Sequence, residues 1–230
     1  MNARSTFTFL QITLAVFLAA YAASATAQQG DILILDGKRY FIQTNPLRPY
    51  LQEHPDAVPK SSIISTSCWR GYVATWEVKD SELHLRDVTV LRPGKDKSQP
   101  EDMSVMFTMF GGQSSVRASW YTGNVIIPDG KVTRYVHMGY ASTFERYIVL
   151  TVEQGRVTSQ QKFGRDAFEV FRKAQFEAFK KTDTYRKAYE ELANDKDGSA
   201  MKPEQIEEFI FEFYSEQYLA TVYKQATKES

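Results

Sequence analysis

The chain changes its pattern near Phe163, and that change constrains the fold more than any other feature. Before it, short apolar runs are separated by turn residues. After it, apolar residues fall at helical spacing, and Gly and Pro become scarce. Asp31–Leu35 and Lys38–Thr44 flank Asp36-Gly37, and two β-type runs joined by Asp-Gly predict a tight hairpin. Trp69–Val78 and Leu83–Leu91 predict a second hairpin around Lys79-Asp80-Ser81. Further strands are expected at Met103–Phe110, Val116–Tyr121, Asn124–Ile127, Lys131–Tyr140, Tyr147–Val152 and Arg156–Gln161. Pro128-Asp129-Gly130 and Gln154-Gly155 supply the later turns. This density of short strands predicts an antiparallel sandwich or barrel-like body over residues 28–163.

Residues 164–230 read as a helical segment packed on that body, so the expected class is α+β. Phe168, Phe171, Ala174, Ala178 and Phe179 lie near one helical face, and Tyr185, Ala188, Tyr189 and Leu192 stripe a second helix. Pro203 suits the first position of a third helix, expected to run to about Tyr223. Between the first two hairpins, Asn45–Ser62 holds four prolines and reads as a loop with a short helical turn.

Residues 1–27 read as a secretory signal. Arg4 gives the positive start, an apolar run follows to Ala23, and Ser24-Ala25-Thr26-Ala27 fits a small-residue cleavage site. The apolar stretch is too short for a bilayer span, which needs about 20 residues. Localisation in a periplasm or beyond the cell is therefore expected, with no stable membrane span after cleavage. Formal charge is zero over the chain, with 28 basic and 28 acidic residues. That balance argues against nucleic acid as a partner, since such proteins carry a basic excess. The single cysteine, Cys68, excludes an internal disulfide and a cysteine-rich zinc site. It reads as a buried residue, with pairing to another chain as the alternative.

Motifs for chemistry are sparse. There is no G-x-S-x-G elbow, no H-E-x-x-H and no C-x-x-C, and His54, His84 and His137 are scattered. A hydrolase site around His137, with Glu145 or Cys68, stands as one alternative. The segment from Ala193 to Glu204 resembles an EF-hand loop, with Asp195, Asp197 and Glu204 as candidate metal ligands. Ala193 and Met201 stand where that loop would place ligands, so the calcium reading is the weaker one and no cofactor is expected. The stronger candidate set is aromatic and basic: Arg70, Trp120, Tyr135, His137 and Tyr140. Tyr, Trp and Arg dominate protein-interface hot spots. On a strand over Lys131–Tyr140, Tyr135 and His137 would share one face.

Three stretches, Ser65–Glu77, Trp120–Gly130 and Tyr135–Glu145, resemble an uncharacterised family of exported bacterial proteins. The resemblance implies a bacterial exported origin and carries over no functional residue. The expected function is a non-enzymatic binding protein that recognises a protein or envelope ligand, with an immunity-type toxin neutraliser as one concrete form.

Overall fold

A computed structural model describes residues 29–59, 68–94, 99–137, 139–194 and 201–223. The leader over residues 1–27 lies outside the described residues. Two-residue hairpin turns of type I′ need positive φ at both central positions. Asp36 and Gly37 (φ 51° and 75°), Asp80 and Ser81 (52° and 58°), and Gln154 and Gly155 (46° and 81°) all supply it. These turns join β1 (Asp31–Leu35) to β2 (Lys38–Ile42), β3 (Val73–Lys79) to β4 (Glu82–Pro93), and β8 (Thr143–Glu153) to β9 (Arg156–Gly164). With β5 (Pro100–Ser104), β6 (Val116–Arg117) and β7 (Gly123–Arg134) they form one nine-stranded sheet. Its main order is β2-β1-β3-β4-β9-β8-β7. The fold is α+β, as the residue pattern predicts.

The sheet is mostly antiparallel, but β1 and β3 run parallel, with Ile32 opposite Thr75 and Leu33 opposite Trp76. A parallel neighbour requires a long crossover rather than a hairpin. The proline-rich segment after β2 is that crossover, and it carries the short helix α1 (Arg48–Glu53). The sheet then curls until the end of β2 reaches β7. The Gln43 amide donates to the Ile126 carbonyl at 2.9 Å, and the Ile126 amide to Thr44 Oγ1 at 3.3 Å.

Alternation along β7 divides the apolar residues between two cores. Val125 and Ile127 point into the curled sheet beside Leu33, Trp76, Leu85 and Leu150. Ile126 points outward and, with Tyr147 and Val149, meets the helices. Those helices are α3 (Arg165–Phe179), α4 (Asp183–Ala193), α5 (Pro203–Phe213) and α6 (Ser215–Ala220), and α3 and α6 lie against β7–β9. Phe168 stacks on Tyr147 at 3.6 Å between ring centres. Gly123 permits the approach of α6, since a Cβ there would stand 2.5 Å from the Ala220 carbonyl oxygen.

Several elements depart from the expectations. The run expected as a strand over Met103–Phe110 splits into the end of β5 and a helical turn, α2 (Met106–Phe110), closed by Gly111 at φ 60°. The turn expected at Pro128–Gly130 does not form. β7 passes through it with bulges between Asp129 and Arg134, and residues 135–137 lie beyond any strand. The third helical run is divided at Tyr214. There the Phe211 carbonyl accepts from Arg172 Nη2 at 2.9 Å and from the Tyr218 hydroxyl at 2.7 Å. These side chains occupy the carbonyl that an unbroken helix would offer to Ser215.

The most buried charge lies at the start of β1. The Asp31 carboxylate is fully enclosed. It accepts from the Ala74 amide and from Trp76 Nε1, both at 3.1 Å, and pairs with Arg70 Nη2 at 3.0 Å. Burial pushes its carboxyl up, against the pull of Arg70. Removing one partner of such a pair leaves the other charge uncompensated. Asp31→Ala is expected to destabilise the fold by about 3–5 kcal/mol, read from the shift in the denaturant midpoint. A loss near zero would contradict this role.

Burial also pushes the phenols of Tyr72, Tyr121 and Tyr218 above their ordinary value. For such groups the folded state holds its proton where the unfolded chain has released it. Their contribution is full below about pH 10, the unfolded value, and is lost as pH rises beyond it. Stability measured by denaturant should therefore fall steeply above about pH 10, and the phenolate absorbance of these three groups should rise with unfolding rather than before it.

Candidate binding cleft

The candidate site is built on the free edge of β2. The two-residue turn makes Leu35 and Lys38 a hydrogen-bonded pair, so Leu33 with Tyr40 and Asp31 with Ile42 are bonded pairs too. The backbone groups of Arg39, Phe41 and Gln43 therefore face away from β1. Only Gln43 is met across the gap, by Ile126. Among the described residues, β2 pairs with no strand but β1. Beyond Gln43 no backbone hydrogen bond joins β2 to β7 among the described residues, and Arg39 and Phe41 line the space between them.

The opposite wall is the far half of β7 and the chain that follows it. Residues 135–137 and 139–142 fold back toward β2. Gln43 Nε2 donates to the carbonyls of Tyr140 and Ser142, each at 3.1 Å. Ser142 Oγ accepts from the Val136 amide at 3.0 Å, and the Tyr140 hydroxyl donates to Asn45 Oδ1 at 3.0 Å. The result is a cleft of about 570 Å³. Phe41, Val132 and Tyr135 line it and are 65%, 50% and 58% exposed. Phe144 and Tyr140 complete its apolar surface.

The rim leans positive. Asp129 is held by Arg146 at 3.0 Å and by Lys38 at 3.4 Å, and the hydrogen bond from Arg146 keeps its carboxyl below the ordinary value. Glu145 accepts from the Lys131 amide at 3.0 Å and stands 3.7 Å from Arg146. Among the described residues, the side chains of Arg39 and Lys131 have no ion-pair partner.

The structure gathers part of the candidate set. Tyr135 and Tyr140 line the cleft, and His137 packs edge-on against Tyr135 at 4.7 Å. Arg70 lies beneath, paired with Asp31, and within electrostatic reach of Tyr140, whose phenol burial pushes up. Two Arg70 nitrogens, Nε and Nη1, are closed off without a hydrogen-bond partner. Its guanidinium stands over the Tyr72 ring at 5.2 Å. Trp120 is elsewhere: its Nε1 donates to the Pro46 carbonyl at 3.0 Å, and its ring packs on Tyr50 and Phe110. The sequence reading passed over Phe41, Val132, Phe144 and Arg39. Strand alternation alone would have placed Phe41 and Arg39 on one face, but not on an edge.

The elements of the hydrolase alternative stand apart. Cys68 donates to the Tyr72 carbonyl at 3.1 Å, Glu145 accepts from Lys131, and the ring contact of His137 is Tyr135. For the calcium reading, Asp195 and Asp197 lie outside the described residues, and Glu204 is exposed in the first turn of α5. Among the described residues no three His, Cys, Asp or Glu side chains are grouped to hold a metal ion. None of their helices is long and apolar enough to cross a membrane.

Another recess, of about 300 Å³, lies beside α1, where Arg48 pairs with Glu216 of α6 at 2.8 Å. Just before β6, Ser115 Oγ stands 3.2 Å from Nδ1 of His84 on β4, and His84 Nε2 stands 3.6 Å from Glu82 Oε2. This resembles a nucleophile–base–acid line. But the acid is beyond hydrogen-bond reach, Arg117 holds its other oxygen at 3.0 Å, and none of the three residues lines the cleft. A fluorophosphonate probe should leave Ser115 unmodified. Stoichiometric labelling lost in Ser115→Ala would show an activated nucleophile instead.

No protein-family model, curated protein or solved structure matches the chain, so the cleft's own geometry carries the functional reading.

Proposed function

We propose that the chain is an exported, non-enzymatic binding protein that holds a protein partner of the cell envelope in the cleft between β2 and β7. The observation that carries this reading is the cleft itself. Phe41, Val132 and Tyr135 are large apolar side chains left exposed together around one concave surface. Contiguous exposed apolar surface rimmed by charge marks an interaction site rather than ordinary surface. Aromatic anchors set in such a recess are the residues that dominate binding energy. Export rests on the leader pattern of residues 1–27 and on the resemblance of the β-rich stretches to an exported family.

Catalysis has less support, because no nucleophile and base meet at this cleft among the described residues. A toxin neutraliser is one form the binder can take, since such proteins act by contact alone.

The test is selection of a random-peptide display library on the wild-type chain and on the double variant Phe41→Asp, Val132→Asp. Both side chains are exposed, so the variant should keep its circular dichroism spectrum and its thermal midpoint. Recovery of selected peptides is expected to fall by at least about tenfold on the variant, the loss expected when hot-spot anchors are removed. Equal recovery on the two proteins, or no enrichment on the wild type, would overturn the proposal.

A further inference from the structure

We infer that the occupant of the cleft is an extended, acidic segment of a partner protein that adds as a strand to β2. This rests on the reading of the cleft as a protein-binding site, and it specifies both the mode of binding and the chemistry of the partner.

The mode follows from the backbone. β2 offers N–H and C=O groups at Arg39 and Phe41 that face away from β1, and no strand among the described residues meets them. Five residues of strand span about 17 Å. An extended segment of that length can bond the open edge while alternate side chains pack on Phe41, Val132 and Tyr135. A helix laid in the same cleft would leave those edge groups covered and unbonded, which is costly. The backbone bond between the strands at Gln43 is not continued along β2 among the described residues, so an added strand would enter where the sheet's own pairing stops.

The chemistry follows from the rim. Lys38, Arg39 and Asp129 are the charged residues that line the cleft, and Lys131, Arg146 and Glu145 lie next to Asp129 outside its lining. Asp129 is held by Lys38 and Arg146, and Glu145 stands close to Arg146. Among the described residues, Arg39 and Lys131 are the cations left without an ion-pair partner. Carboxylates on the incoming strand would pair with them at a partly desolvated rim, whereas a basic strand would meet repulsion.

The probes are end-capped seven-residue peptides that alternate Glu with Val and Phe, followed by fluorescence anisotropy on the full chain. One control replaces every Glu by Lys. Two others carry N-methyl groups on alternate residues, one isomer for each edge of the peptide. The acidic peptide is expected to bind at least about tenfold more tightly than the Lys peptide, with weakening as salt rises. One N-methyl isomer should lose at least about tenfold while the other binds like the parent, because only one edge of an added strand faces β2. On the protein side, Arg39→Pro removes an edge amide that β1 does not use. It should lose more binding than Arg39→Ala, which removes the charge alone; an unchanged thermal midpoint confirms that Arg39→Pro is folded.

Equal binding by both N-methyl isomers would overturn strand addition and leave the cleft reading standing. Equal binding by the Lys peptide would overturn the acidic assignment. Failure of all these peptides while the display selection enriches others would overturn the inference alone. Failure of both would bring down the proposed function with it. A concentration-dependent dimer abolished by Arg39→Pro would make a second copy of the chain the occupant and overturn the inference.

Discussion

The enclosed Asp31 carboxylate sets the geometry on which the rest of the molecule depends. One of its oxygens takes the Ala74 amide and Arg70, and the other takes the Trp76 indole. All three partners sit on β3 or just before it, so a single side chain at the start of β1 fixes which strand lies beside it. β3 is thereby held parallel to β1, and the chain must leave β2 by a crossover instead of a hairpin. β2 is left at the margin of the sheet with one backbone face uncovered. A buried ion pair is weak evidence for net stability, since desolvation offsets much of the attraction. Its consequence here is register: satisfying that carboxylate in another pairing would require a different set of buried donors.

The curl of the sheet turns this margin into a recess. Had β2 and β7 paired along their length, the edge groups of Arg39 and Phe41 would be consumed and the barrel closed. Among the described residues their backbones bond at Gln43 alone, and the Gln43 side chain also ties down the returning chain at Tyr140 and Ser142. One residue thus ends the pairing through its amide and positions the opposite wall through its carboxamide. The bulged course of β7 beyond Asp129 carries Val132 away from the sheet's own core and into the cleft. Bulges of this kind commonly end pairing and re-aim side chains near functional sites. The helices take no part in the cleft. They cover the outer faces of β7 and β8, where Ile126, Tyr147 and Val149 would otherwise be exposed.

Local signals in the sequence were read well, and non-local ones were not. Asp36-Gly37, Asp80-Ser81 and Gln154-Gly155 announce their turns because positive φ is a local demand, and α3 and α4 show their periodicity in the same way. The parallel pairing of β1 with β3 had no local signature: it depends on Asp31 finding Trp76, forty-five positions away. The strand expected over Met103–Phe110 would stop at Gly111-Gly112, but a left-handed residue closes a helix equally well, and α2 ends there. The division of the third helical run at Tyr214 depends on Arg172 reaching Phe211 from another helix. Among the candidate site residues, Tyr135 and Tyr140 reached the cleft because aromatic side chains with polar tips favour such borders. Trp120, of the same type, serves packing around α1 and α2. Phe41 was missed because its alternation marks a face and says nothing about which strand forms the edge.

An uncovered edge is a hazard as well as an opportunity, because any exposed strand can pair with it, including the same edge of another copy. Charged side chains on an edge are a common defence, and Lys38 and Arg39 occupy it here. Two copies meeting edge to edge would bring these cations together, while Phe41 between Arg39 and the Gln43 junction remains free to receive an apolar side chain. A lysine pair alone would only protect the strand. A cation without a partner beside an exposed aromatic ring does more, since it penalises self-pairing and favours a strand of opposite charge. The same two residue types thus separate two events that the backbone by itself could not tell apart.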